Sequence, residues 1–204
     1  MSSKHGKVHL GACLALLGLV AAGNATAAQG PSFSCTNVKA GSIEAMVCAD
    51  AALSALDRKL ASVYAAAAAK AKNQKPNTLK AEQRGWVKGR DDCWKSDNAH
   101  ACVENEYQRR IAELQARYRL VDSIGPLRFA CDGNPANELA VTYFKTEPST
   151  LIAERGDSSS LMFQQVSGSG TRYQGRNETL AEHQGEVRLV WGYEAPEMVC
   201  KKAN

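Results

Sequence analysis

The first half of the chain has the hydrophobic pattern of helices that bury one face. In one long segment, apolar residues recur at spacings of three and four, at Leu53, Leu56, Leu60, Val63 and Tyr64. Such spacing places these side chains on one side of an α-helix. Ser42 is a suitable N-cap for this helix, and the polar segment 72–77 ends it.

Two further helices show the same periodicity. The second contains Leu79, Gln83, Trp86 and Val87 and ends near Asp92. The third helix has its apolar positions at Val103, Tyr107, Ile111, Leu114 and Tyr118. Because the connections are short, neighbouring helices should be antiparallel. The sequence therefore predicts a three-helix bundle within residues 33–120.

The helical pattern stops at a predicted linker, residues 121–127, which contains Ile124-Gly125-Pro126. Beyond it, turn-rich segments separate seven short strand candidates, at residues 127–131, 138–145, 150–154, 160–166, 171–173, 186–191 and 197–201. Many short strands with regular turns indicate a small antiparallel barrel or sandwich over residues 128–204. The fold class is thus α+β with two domains.

The N-terminus predicts export from the cytoplasm. Basic residues precede an apolar stretch from Leu10 to Ala22, and small residues follow. This pattern is typical of a secretory signal peptide over residues 1–28, cut after Ala27 or Ala28. A lipidation box at Cys13 is disfavoured, because almost no apolar helix precedes it. No later segment is apolar enough to span a membrane, so we expect a periplasmic or secreted protein.

Removal of the signal peptide leaves six cysteines in an oxidising compartment, where disulfides are expected. Two lie in the first and last strand candidates, so a Cys131–Cys200 bridge would tie the ends of the β domain together. In the helical domain we favour Cys35–Cys48 and Cys93–Cys102, and the crossed pairings remain open.

Composition argues against several classes of function. The mature chain keeps only His100 and His183, which lie in different halves without neighbours at metal-ligand spacing. We therefore expect no metal, no cofactor and no enzymatic activity, since nucleotide-binding and nucleophile motifs are also absent. Basic residues alternate with acidic ones in the helical half, which disfavours nucleic acid as a partner. A binding protein of open oligomeric state remains.

Cysteine, Trp and Arg-Asp spacings occur together in the helical half, at Ser34-Cys35, Ile43-Glu44, Cys48, Leu56-Asp57, Gln83-Arg84-Gly85-Trp86, Arg90-Asp91, Cys93, Cys102, Tyr107 and Arg110-Ile111. In these spacings the helical half resembles the LprI-like domain of bacterial envelope proteins. The resemblance covers nearly the whole helical half.

The β half has four distinctive segments, at Phe129-Ala130-Cys131-Asp132, Leu139 to Tyr143, Ser169-Gly170-Thr171-Arg172-Tyr173 and Cys200-Lys201. In these segments it resembles the MliC family of membrane-bound inhibitors of c-type lysozyme. This resemblance implies an eight-stranded antiparallel barrel that plugs the lysozyme active-site cleft with its Ser-Gly-x-x-Tyr loop. The implied lysozyme-binding residues are Ser169, Gly170, Thr171, Arg172 and Tyr173.

These residue types suit a plug for a cleft with one protonated and one ionised carboxyl group. The Ser169 hydroxyl can donate and accept, and Gly170 allows close backbone approach. Arg172 supplies charge, and Tyr173 supplies a rigid aromatic anchor.

A second binding loop is expected at residues 180–185, where the family has a Lys-Gly pair. Here Gln184 stands in place of the lysine, and His183 would offer a cation only when protonated. The alternative function is therefore a non-inhibitory envelope binding or scaffold module that has lost this loop.

Overall fold

The structure is a computed structural model that describes residues 1–2, 29–75 and 77–203. Residues 3–28 lie outside the described ranges. They contain Cys13, the predicted cleavage site and all of the predicted signal peptide except its first two residues. Within the described ranges, no helix combines the length and apolar character that a bilayer crossing requires.

The described part of the N-terminal domain contains four α-helices and one short 3₁₀ helix. They are α1 (Ile43–Ala49), α2 (Ala51–Ala71), α3 (Leu79–Asp91), the 3₁₀ helix (Asp92–Lys95) and α4 (Ala99–Arg117). The predicted count of three differs because the first helix is broken at Asp50. Asp50 has extended backbone angles (φ −108°, ψ 121°), and its carboxylate accepts a hydrogen bond from the Leu53 amide at 2.8 Å. It therefore ends α1 and caps α2.

Helices α1, α2 and α3 enclose a core against α4, which is centred on Leu53, Leu60, Tyr107 and Ile111. These residues belong to the apolar stripes predicted from periodicity. Two disulfides staple this domain, Cys35–Cys48 at the start of α1 and Cys93–Cys102 between the 3₁₀ helix and α4. This is the pairing favoured from the sequence.

The C-terminal domain is a closed antiparallel barrel in which each strand pairs with the next one along the chain. Its strands are β1 (Ser123–Cys131), β2 (Asn134–Phe144), β3 (Thr150–Arg155), β4 (Ser158–Gln165), β5 (Thr171–Gln174), β6 (Glu178–His183), β7 (Glu186–Trp191) and β8 (Glu197–Lys202). Cys131 and Cys200 are paired residues of β1 and β8, and their disulfide crosses the closure. The strand that periodicity missed is β6.

Most of the segment predicted as a linker lies in the first strand of the barrel. Residues 123–127 belong to β1, where Ser123 pairs with Phe144 and Ile124 pairs with Tyr143. Residues 118–122 are all that separates α4 from the barrel. Backbone pairing with β2 thus draws the Gly-Pro segment of the predicted linker, residues 121–127, into the sheet.

The two domains pack against each other through the outer face of β2, β3 and β4. Phe144, Thr150 and Phe163 form one row across these strands, and all three are buried. They alternate along their strands with the residues of the barrel interior, so they point outward. The Arg109 guanidinium lies 3.9 Å from the Phe163 ring centroid, and Arg119 lies 6.0 Å from that of Phe144.

Small residues let α4 approach the barrel closely. Ala112 and Ala116 are fully buried, but neither belongs to the apolar core of the helical bundle. They lie one turn apart on α4, which contacts β3. The helical domain therefore rests on the side of the barrel, close to the end at which β2 and β4 finish.

Candidate functional site

Three loops gather at one end of the barrel. Because successive strands run in opposite directions, alternate connections share an end. The β2–β3 connection (145–149), the β4–β5 loop (166–170) and the β6–β7 turn (184–185) therefore lie together. Two of the three carry residues predicted to bind lysozyme.

The β4–β5 loop presents Ser169 to solvent and rests on β6 through Gly170. Gly170 has φ +66°, and a Cβ atom on it would lie 2.1 Å from the carbonyl oxygen of Glu182. A residue with a side chain cannot occupy this position without moving the loop. The Ser167 hydroxyl donates to the Ser169 carbonyl at 2.8 Å. The Ser169 hydroxyl forms no hydrogen bond within the described part of the chain, so it is available to a partner.

Residues of β5 alternate between the outer surface of the barrel and its interior. Arg172 is exposed and forms no ion pair with any described residue. Tyr173 is only 6% exposed and belongs to the barrel core. Its ring points into the barrel, away from the surface at which lysozyme is predicted to bind. Its ring packs edge to face on Tyr143 at 5.9 Å and supports the loop from beneath.

A partly buried tyrosine–glutamate pair lies at the barrel mouth below the loops. Tyr143 Oη donates to Glu182 Oε2 at 3.1 Å, and Glu182 pairs with Thr171 across β5 and β6. Burial raises the pKa of Tyr143, and the Glu182 charge raises it further, so the phenol stays a donor. Glu182 thus anchors the mouth with its side chain while its backbone supports Gly170. Sequence reasoning missed this role because it assigned residues 180–185 to a loop.

The second loop is a tight turn rather than an extended loop. His183 pairs with Glu186, which leaves two central residues, Gln184 (φ +50°) and Gly185 (φ +82°). Positive φ at both positions is the geometry of a type I′ hairpin turn. The His183 ring nitrogen Nδ1 is 3.4 Å from the position that a Cβ atom on Gly170 would occupy, so turn and loop are neighbours.

Charge at this end is unevenly distributed. Arg188 is paired with Glu186 at 3.3 Å and with Glu197 at 3.1 Å, which neutralises it. It lines, with His183 and Gln184, a depression of about 250 Å³ under the turn. Arg172 is an exposed positive charge three residues after Ser169. Across residues 29–75 and 77–203, no group of three His, Cys, Asp or Glu side chains could hold a metal ion.

This arrangement defines a two-domain binding protein, in which a barrel supported by a helical bundle presents a Ser-Gly loop and a tight turn side by side. Comparison with known proteins specifies the class. Residues 35–114 match the family described as "Lysozyme inhibitor LprI", and residues 129–198 match the family described as "Membrane-bound lysozyme-inhibitor of c-type lysozyme". Both resemblances inferred from the sequence, and their order, are confirmed.

Similar curated proteins are named "Lipoprotein LprI" in Mycobacterium bovis and Mycobacterium tuberculosis. Each is 30% identical to this chain over 172 residues, which cover 84% of this chain and 84% of the relative. The chain therefore belongs to the LprI family. No solved structure gives a significant match.

Proposed function

We propose that this protein inhibits a c-type lysozyme by inserting the Ser169-Gly170 loop into the active-site cleft. Membership of two lysozyme-inhibitor families supports lysozyme as the partner. The observation that carries the proposal is the exposed Ser169 hydroxyl on a loop held against β6 by the close approach of Gly170 to the Glu182 carbonyl.

The chemistry of the cleft suits a hydroxyl. A lysozyme active site holds one carboxyl group that acts as an acid and one that is ionised. Ser169 can donate to the ionised carboxylate and accept from the protonated one. Arg172 would add attraction at the rim of the cleft. Tyr173, buried below, would keep the loop in shape without touching the partner.

Gln184 weakens the second point of contact. A neutral amide can donate a hydrogen bond, but such a bond has about half the strength of one from a charged donor. His183, exposed at the end of β6, would add a cation beside it when protonated. We therefore expect weaker inhibition than a lysine at this position would give.

The proposed place of action is the periplasm or the outside of the cell. Three disulfides fit an oxidising compartment. The predicted signal peptide would deliver the chain there, with cleavage after Ala27 or Ala28. The relatives' name, lipoprotein, makes lipid attachment at Cys13 the competing route.

A turbidity assay with c-type, g-type and i-type lysozymes tests the proposal. Ser169→Ala should weaken inhibition of the c-type enzyme about 10- to 150-fold, the equivalent of roughly 1.5–3 kcal/mol for a hydrogen bond to a charged group. Gln184→Lys should strengthen it, and less so at high salt. Ser158→Ala, at the opposite end of the barrel, is the matched control and should have no effect.

Two results would overturn the proposal. If a micromolar excess of this protein inhibits no lysozyme, the alternative function of a non-inhibitory envelope module is favoured. If the protein inhibits but neither loop variant changes the inhibition constant, the contact lies elsewhere.

A further inference from the structure

The helical domain contains a cleft that the loops do not use. It lies between α2 and α3 and has a volume of about 380 Å³. Three partly exposed aromatic residues form much of its wall, at Phe33, Tyr64 and Trp86. This volume is within the range of small-molecule sites, which are mostly apolar with a few placed polar groups.

A buried polar network lies beside these aromatic walls. Arg90 is only 4% exposed and Asp57 only 7%. Arg90 Nη1 donates to Tyr107 Oη at 2.8 Å, and Tyr107 Oη donates to Asp57 Oδ1 at 2.9 Å. The Ser32 amide donates to the other oxygen of Asp57 at 2.6 Å. Side chains held in this way are pre-organised for a ligand.

The network retains hydrogen-bonding capacity. A guanidinium has five N–H groups, and Arg90 uses three, on Tyr107 and on Asp91. Its Nη2 atom is 3.6 Å from Glu44 Oε1, too long for a hydrogen bond. Spare N–H donors therefore lie next to carboxylate oxygens with spare lone pairs. A cationic ligand would be repelled by Arg90, and an anionic ligand would be repelled by the carboxylates. A hydroxyl group can accept from the guanidinium and donate to a carboxylate.

We propose that this cleft binds a sugar ring of an N-acetylated amino-sugar oligomer. The apolar C–H face of the ring would lie on Tyr64 and Trp86. Its hydroxyl and acetamido groups would reach Arg90, Glu44 and the Gln83 amide, whose N–H groups donate to no described residue. Glycans of this class are the substrate of lysozyme, so the site would hold the inhibitor where its partner works. Sugar binding by the helical domain is separate from loop insertion into lysozyme.

Isothermal titration of the mature, disulfide-bonded protein with N-acetylglucosamine tetramer tests this without any lysozyme present. The wild type should bind, and ¹⁵N chemical shifts should change in α2 and α3. Tyr64→Ala removes a stacking surface and should lower affinity about tenfold. Ala61→Trp, at an exposed position in the lining, should block the cleft and abolish binding without removing a contact. Circular dichroism checks that each variant is folded.

Trp94→Ala is the control, because Trp94 is 68% exposed and lies outside this cleft. It should leave affinity unchanged. Absence of binding by the wild type at millimolar sugar would overturn the proposal, as would wild-type affinity in folded Tyr64→Ala and Ala61→Trp. Since lysozyme inhibition is measured separately, loss of either activity can be recognised without the other.

Discussion

Replacing Gly170 by alanine should separate the role of the loop backbone from that of its side chains. At φ +66° an alanine costs about 1–2 kcal/mol in left-handed strain. Its Cβ atom would also lie 2.1 Å from the Glu182 carbonyl oxygen, so the loop or β6 must move by roughly 1 Å. Such overpacking typically costs a further 1–3 kcal/mol, unless the loop detaches from β6. Either response should disturb Ser169.

Gly156→Ala provides the matched control. Gly156 has φ +58° but nothing within 4 Å of its Cβ position, and it lies in the β3–β4 turn at the other end of the barrel. Both variants should therefore lose stability to left-handed strain in urea denaturation, and only Gly170→Ala should also lose at least tenfold in the inhibition constant. Equal stability and equal inhibition in the two variants would refute the claim that this close approach positions the loop.

Three other predictions concern the rest of the chain. Tyr107→Phe should lower the free energy of unfolding by about 2–3 kcal/mol in urea titration, because it leaves charged Arg90 and Asp57 without a shared partner. The control Tyr193→Phe should leave the free energy of unfolding unchanged, because Tyr193 is 78% exposed. The pKa of Glu44 is lowered from 4.5, chiefly by a hydrogen bond from its own backbone amide. The ionised Glu44 carboxylate therefore stabilises the folded state fully above pH 4.5, and this contribution is lost as the pH falls through the lowered pKa. Glu44→Gln should accordingly reduce Tm at neutral pH but not in strong acid. Intact mass should show a mature chain that begins after Ala27 or Ala28, and a lipid on Cys13 would contradict the signal-peptide prediction.

Local spacing was sufficient for much of the fold. The helical stripe containing Leu53 and Leu60, the change of pattern after Val121 and the division of cysteines between the halves could all be read directly, because each depends on residues close in sequence. The Asp50 break was not foreseen, since one residue with extended backbone angles leaves the apolar periodicity on both sides nearly intact.

Strand β6 shows where such reasoning ends. Its inward positions are Glu178, Leu180 and Glu182, so two of three carry carboxylates and the expected alternation of apolar residues is hidden. The barrel tolerates these carboxylates because residues distant in sequence donate hydrogen bonds to them. Ser160 donates to Glu178, and Tyr143 donates to Glu182. No local pattern contains those partners.

The candidate site divides in the same way. The Ser-Gly motif, and hence Ser169 and Gly170, could be identified from sequence because its residues are consecutive. Only the tertiary structure decided that Tyr173 faces the barrel interior, that the turn at Gln184 lies beside the loop, and that α4 covers the outer face of β2 to β4. Each of these depends on strand register and on packing between distant elements, and a shift of one residue in register would have turned Tyr173 outward.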